Sequence, residues 1–315
     1  MFKKITPAIF FLLLLSCGTT EKATNYLFIN KKAEQKYITA YNNTMKLWPV
    51  PYTEKDIPTS FGSAHVIISG PANGEPLVLF HGLDASSTMW YPNIKSYAKK
   101  YRVYAVDHII ESGKSVSKDG KFTINDIVPW YNEVFDALNL KKIYLLGTSG
   151  GGWNATYYTI HSKGRVKKLV LLAPVETFTH ITMKPKTLTA ANFKFFPSRK
   201  HLNKMLNNFS QRAATIDPLF IDQMYLGTKN TKISTNMLRM NPFTDEEFKT
   251  LTFPVMVLIG DHDILNKPEV IDIASKVLPN VNAALIHDAG HFVSMDQQEE
   301  VDKRVMEFLQ QDNLL

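Results

Sequence analysis

Lys142-Ile143-Tyr144-Leu145-Leu146-Gly147-Thr148-Ser149-Gly150-Gly151-Gly152-Trp153-Asn154-Ala155-Thr156-Tyr157-Tyr158 is the stretch that decides how this chain is read. Its first five residues are apolar enough for a buried strand, and the pattern from Gly152 onward opens a helix. Between them lies G-x-S-x-G. A serine thrown out on a strained turn between strand and helix brings the flanking backbones close together. Side chains two residues to either side would collide, and Gly147 and Gly151 stand there. The Ser149 oxygen is then expected at the N-terminus of the following helix, where N–H groups and the helix dipole favour developing negative charge.

Strands and helices alternate on both sides of this stretch. Strand patterns fall at residues 64–69, 76–80, 101–106, 166–172, 253–260 and 282–286. Helical patterns fall at 31–46, 87–100, 124–138 and 301–309, with Pro49, Pro51 and Pro58 breaking the first. The strands are nearly continuous apolar runs, which predicts a mostly parallel, doubly wound α/β sheet buried on both faces. The rhythm fails between residues 177 and 241. No strand pattern occurs there, and helix-length pieces replace it, one over 198–210 with Ser198 as N-cap. The expected division is a core of 58–176 and 251–315, a helical cap of 177–250 over the carboxyl ends of the strands, and an N-terminal tether and helix over 17–57.

Ligands of open α/β sheets bind beyond the carboxyl ends of the strands. His81, Asp107, Ser149, Asp261, Asp263, His287 and His291 all fall there. Acyl transfer needs a nucleophile, a base within reach and a carboxylate that orients the base. Ser149 is the nucleophile. His291 is preferred to His287 as base, because Asp288-Ala289-Gly290 lets it swing to the top of the sheet. Asp263 is preferred to Asp261 as the acid, because it lies a short loop beyond its strand, whereas Asp261 braces the turn. The backbone N–H groups of Leu83, in His81-Gly82-Leu83, and of Gly150 are positioned to hold an oxyanion. The Met and Phe residues of the cap either line an acyl pocket or form the cap's own core.

The order Ser149, Asp263, His291, with His81-Gly82-Leu83, Gly147-Thr148-Ser149-Gly150-Gly151, Gly260-Asp261-His262-Asp263, Gly290-His291 and Ser86-Ser87-Thr88-Met89-Trp90, resembles the serine-dependent α/β-hydrolases. Within that group the chain is similar to the bacterial carboxylesterase-like members. The resemblance runs from about residue 37 to the end. It implies hydrolysis of a small-molecule carboxylic ester through an acyl-enzyme. Lipase, C–C hydrolase, amidase and perhydrolase activities share the machinery, and a non-catalytic binding lipoprotein shares the fold. Dehalogenase and epoxide hydrolase relatives carry Asp where this chain has Ser149. Many relatives have a D-x-x-G-x-G-x-S loop after the strand ending at Asp107. Here it reads Asp107-His108-Ile109-Ile110-Glu111-Ser112-Gly113-Lys114-Ser115, so that wall of the pocket differs.

The chain has 315 residues, 44% of them hydrophobic, and a formal net charge of +7. Lys3 and Lys4 precede a short apolar run over 8–15, then Ser16, Cys17 and Gly18. This is a secretory signal pattern, with a run too short to span a bilayer. Leu14-Leu15-Ser16-Cys17 resembles a bacterial lipobox. Residues 1–16 are expected to be removed and Cys17, the only cysteine, to be lipidated, anchoring an extracytoplasmic protein to a membrane. No disulfide is possible within the chain. Ten Lys or Arg residues lie between 177 and 241 against Asp217 and Asp222, so the cap carries a basic field suited to anionic headgroups or anionic substrates. No metal-ligand spacing and no phosphate-binding glycine loop occurs, so no metal and no cofactor is expected. No nucleic-acid-binding motif accompanies the charge, and no obligate protein partner is implied.

Overall fold

The computed structural model describes residues 24–162, 164–232 and 240–311. Nine strands form one mixed sheet: β1 (Tyr52–Thr59), β2 (Gly62–Ser69), β3 (Pro76–Phe80), β4 (Arg102–Val106), β5 (Val116–Ser117), β6 (Ile143–Thr148), β7 (Val166–Leu172), β8 (Val255–Gly260) and β9 (Val281–Ile286). Their spatial order is β1-β2-β4-β3-β6-β7-β8-β9, with β5 beside β2. All neighbours from β4 to β9 are parallel, and β1, β2 and β5 are antiparallel. The expected α/β class is what is observed.

The central strands are apolar on both sides because both sides are covered. In β3, Val78 and Phe80 enter one core while Leu77 and Leu79 enter the other; in β8, Val255, Val257 and Ile259 alternate with Met256 and Leu258. This is the two-residue period of a strand with both faces buried. The helices are α1 (Lys31–Thr44), α2 (Ile94–Tyr97), α3 (Ile127–Ala137), α4 (Gly150–His161), α5 (Leu188–Phe195), α6 (Arg199–Phe209), α7 (Pro218–Asn230), α8 (Asp245–Lys249), α9 (Val270–Val277), α10 (Val293–Asp296) and α11 (Gln298–Gln310). Residues of α3, α4, α8 and α9 pack on one face, and residues of α1, α2 and α11 on the other.

Three expectations need correction. The helix expected over 87–100 is a short 3-10 turn, Ser87–Trp90, followed by α2. Pro92 lies between them, and a proline ring neither donates to nor clears the preceding turn. The N-terminal segment is more than a tether. β1 begins inside the 17–57 block, runs two residues past it and is an edge strand, where Pro58 costs no ladder bond. Its outer face is polar, so it lacks the apolar run that reveals the inner strands. α1 supports the cap: the Thr44 hydroxyl donates to the Leu219 carbonyl, and the buried Gln223 amide of α7 donates to the Tyr37 hydroxyl. Lastly, the cap ends before residue 250. Phe243 N–H reaches the Thr177 carbonyl at the stem, and Phe248 of α8 stacks on Phe178 in the main core.

The cap has a small core of its own, made by Phe193, Leu202, Met205, Leu206, Phe209, Ile216 and Phe220. α6 begins as expected, with the Ser198 hydroxyl accepting the His201 N–H at 3.1 Å.

Candidate active site

Ser149 sits between β6 and α4 with φ of 51° and ψ of −126°. For a residue with a Cβ this backbone is strained. The turn is held by Ser149 N–H on the Leu172 carbonyl at 2.9 Å and by Gly152 N–H on the Ser149 carbonyl at 2.9 Å. The glycines are there for space. A Cβ on Gly147 would stand 2.3 Å from the Gly151 carbonyl oxygen, and one on Gly151 would stand 2.3 Å from the His81 carbonyl oxygen.

The chain end of β9 carries His291 back to this turn. Its Nε2 lies 2.9 Å from Ser149 Oγ, and its Nδ1 lies 3.0 Å from Asp263 Oδ2. Both partners are almost completely shielded, with side-chain exposures of 3% for His291 and 0% for Asp263. Burial pushes the Asp263 carboxyl upward. The His291 charge and the hydrogen bonds from His291, Asn266 and Leu265 outweigh that and hold it below the usual aspartate value. Asp263 therefore presents a fixed carboxylate to His291, which keeps the imidazole proton on Nδ1 and leaves Nε2 able to accept from the serine.

The turn after β3 closes the site. A Cβ on Gly82 would stand 3.3 Å from the Ser149 Cβ, and one on Gly150 would stand 2.5 Å from the Leu83 Cγ. Leu83 thus lies over Gly150 beside the serine, and among the described residues neither backbone N–H has an acceptor. His81 fixes this turn. Its Nε2 accepts the His108 N–H at 2.8 Å, so the proton is on Nδ1, which donates to the Gly82 carbonyl at 2.8 Å. Burial lowers the His81 pKa, so the ring is neutral and serves as a strut. The Asp107 carboxylate is a strut as well: it accepts Ser87 N–H and Lys114 N–H, both at 2.8 Å.

The structure brings Ser149, Asp263 and His291 into one hydrogen-bonded chain and sets Leu83 and Gly150 beside it. Asp261 stays outside, accepting from the His262 and His287 rings at 2.6 and 3.1 Å, and the His287 side chain is 93% exposed. Cys17 and residues 1–16 lie outside the described residues. Sequence reasoning does not single out Asn266, whose amide donates to Asp263 Oδ2 at 2.9 Å while its N–H and that of Leu265 reach Oδ1. An Asp with Asn three residues on, just past a strand, is the local turn signal that marks it. The contact of Lys194 in α5 with Asp84, at 2.9 Å, is also unmarked in the sequence.

A sharp strand–serine–helix turn, an imidazole from the end of the sheet and a carboxylate on the far side of that imidazole define a class of protein. The model of the alpha/beta hydrolase fold matches residues 75–298, and the chain belongs to that family. It is 37% identical over 286 residues to a protein of Bacillus subtilis (strain 168) named uncharacterized carboxylesterase nap, covering 87% of this chain and 92% of that one. It is 31% identical over 282 residues to carboxylesterase YbfK of the same strain, covering 87% and 93%. The crystal structure of naproxen esterase (carboxylesterase NP) from Bacillus subtilis superposes with a TM-score of 0.82 at 34% identity, over 87% of this chain and 97% of that one.

Proposed function

We propose that the protein is a carboxylic ester hydrolase working through a serine acyl-enzyme, held outside the cytoplasm by a lipidated Cys17. The observation that carries the reading is the 2.9 Å contact between Ser149 Oγ and His291 Nε2, backed by Asp263 at 3.0 Å on the far side of the ring. The carboxylesterase names of the two Bacillus subtilis relatives support esters as the substrate class.

In this mechanism Ser149 Oγ attacks the ester carbonyl carbon while His291 Nε2 takes its proton. The carbonyl oxygen becomes an oxyanion, held by the N–H groups of Leu83 and Gly150; one such donor is worth about 3 kcal/mol of barrier. Asp263 balances the charge of the imidazolium. The tetrahedral adduct collapses, the carbon–oxygen bond to the alcohol breaks, and His291 returns the proton to the departing oxygen. Water then attacks the acyl-enzyme by the same route, releasing the acid and regenerating Ser149. Ser149→Ala should abolish turnover of p-nitrophenyl acetate and butyrate; a variant that turns over at the parent rate excludes the mechanism.

The location rests on the run over 8–15 and on Leu14-Leu15-Ser16-Cys17. Grown with labelled palmitate, the host should put label on the parent protein and none on Cys17→Ser. A parent protein that takes up no label removes the lipid anchor from the account.

A further inference from the structure

Among the described residues, the three most exposed large hydrophobic side chains are Met183, Phe196 and Phe195, at 68, 67 and 54%. All lie within one short segment of the cap. α5 runs through it, and its Leu188 and Phe195, seven residues apart, share an exposed face, while Thr189 and Phe193 are buried on the other. The small core of the cap therefore does not use these side chains.

Positive charge is set among them. Lys184 and Lys186 stand between Met183 and Leu188, and with Lys267 they line a cleft of about 560 Å³ between the cap and the loop that begins at Asp263; Asp263, its side chain wholly shielded, and Asn266 form the inner end of that cleft. Ile264 and Leu265 contribute apolar surface to the cleft. Among the described residues none of these three ammonium groups is paired with a carboxylate. By contrast Lys194, on α5, is neutralised by Asp84. That ion pair also fastens α5 beside Leu83, so the exposed segment borders the turn next to Ser149. Apolar side chains interleaved with unpaired lysines are the surface of an element that lies in a bilayer interface, with its hydrophobic groups in the acyl boundary and its ammonium groups among phosphates.

We propose that residues 183–200 dock on an anionic lipid bilayer, with Met183, Leu188, Phe195 and Phe196 entering the interface and the Lys184, Lys186 and Lys267 cleft taking an anionic headgroup. The surface binds independently of turnover, and it brings the Ser149 site to where an ester with a long apolar chain is dissolved.

The test uses the mature chain from residue 18, which lacks both the apolar run over 8–15 and Cys17, so that neither contributes an anchor. Vesicles of phosphatidylcholine alone are compared with vesicles containing phosphatidylglycerol, and amide hydrogen exchange is followed together with sedimentation. Protection over 183–200 should appear with the anionic vesicles and not with the neutral ones. Phe195→Ser with Phe196→Ser, and separately Lys184→Glu with Lys186→Glu, should each weaken partitioning about tenfold or more. The unfolding midpoint serves as the check on folding, and Lys184→Gln with Lys186→Gln replaces any charge-reversed protein that fails it. Sedimentation without protection of 183–200, equal protection by neutral vesicles, or unaltered partitioning of both variant pairs overturns the proposal. Fluorophosphonate labelling of Ser149 on the same samples separates this outcome from the ester reading: a protein that labels but gains no protection retains the one and loses the other.

Discussion

Ser149 is the residue at which local preference and function disagree. Its positive φ costs about 1–3 kcal/mol, and the surrounding backbone bonds and the two flanking glycines sustain it. What that strain achieves is a half-buried hydroxyl held 2.9 Å from His291 Nε2. At Asp263, burial is outweighed by the His291 charge and then by hydrogen bonds that also aim its carboxylate at Nδ1, so its pKa is depressed. Asp263→Asn keeps the shape and removes the charge. Its amide can donate to Nδ1, shifting the ring proton to Nε2, where it blocks acceptance from the serine. The expected result is a fall in kcat of roughly 10⁴-fold with KM little changed. A fall of less than about tenfold would mean that Asp263 does not orient the base. These residues are legible in sequence because each stands just past an apolar strand in a short loop. Asn266 and the protonation of His81 are not, because they depend on which backbone groups the folded loops bring near.

At the scale of elements, the strands that lie inside the sheet read clearly, and the one at its edge does not. β1 alternates weakly and contains Pro58. What defines it is its pairing with β2, which sets Asp56 opposite His65 and Glu54 two residues away on the same side. His65 is nearly buried, and its two ring nitrogens meet Asp56 at 2.7 Å and Glu54 at 3.1 Å. Burial disfavours the imidazolium. The Glu54 contact, the Asp107 charge and the Asp56 contact outweigh it, with Lys114 opposing, and the pKa is raised. The hydrogen bond from His65, followed by the smaller effect of Lys114, draws Glu54 down to about 2 against the cost of burial. A raised histidine stabilises the fold fully below its unfolded value of about 6.5, and that contribution disappears as pH climbs through the folded value. A depressed glutamate stabilises the fold above its unfolded value of 4.5, and that contribution disappears as pH falls toward about 2. The bridge is therefore fully effective between those limits. The unfolding midpoint of the parent should exceed that of His65→Gln most in this window, and the gap should narrow at higher pH. A gap that stays constant from about pH 5 to about pH 9 contradicts a charged His65.

For the whole molecule, the double burial of the sheet made the α/β class readable, and the loss of strand rhythm after residue 177 made the cap readable. The boundary between core and cap was not readable. It depends on Phe243 meeting Thr177 and on Phe248 joining the main core, both contacts between residues far apart in sequence. Nor did composition reveal that α1 props up α7, since that support runs through the Gln223 amide on the Tyr37 hydroxyl and the Thr44 hydroxyl on the Leu219 carbonyl. The same long-range closure carries His291 to Ser149 across the sheet, and the account rests on it. Its most direct measurement is the site and rate of fluorophosphonate labelling, mapped by peptide mass. We predict one adduct, on Ser149, formed rapidly by the parent and slowed by several orders of magnitude in His291→Ala. An adduct elsewhere, none at all, or one on Ser149 whose rate ignores the loss of His291 would contradict the account.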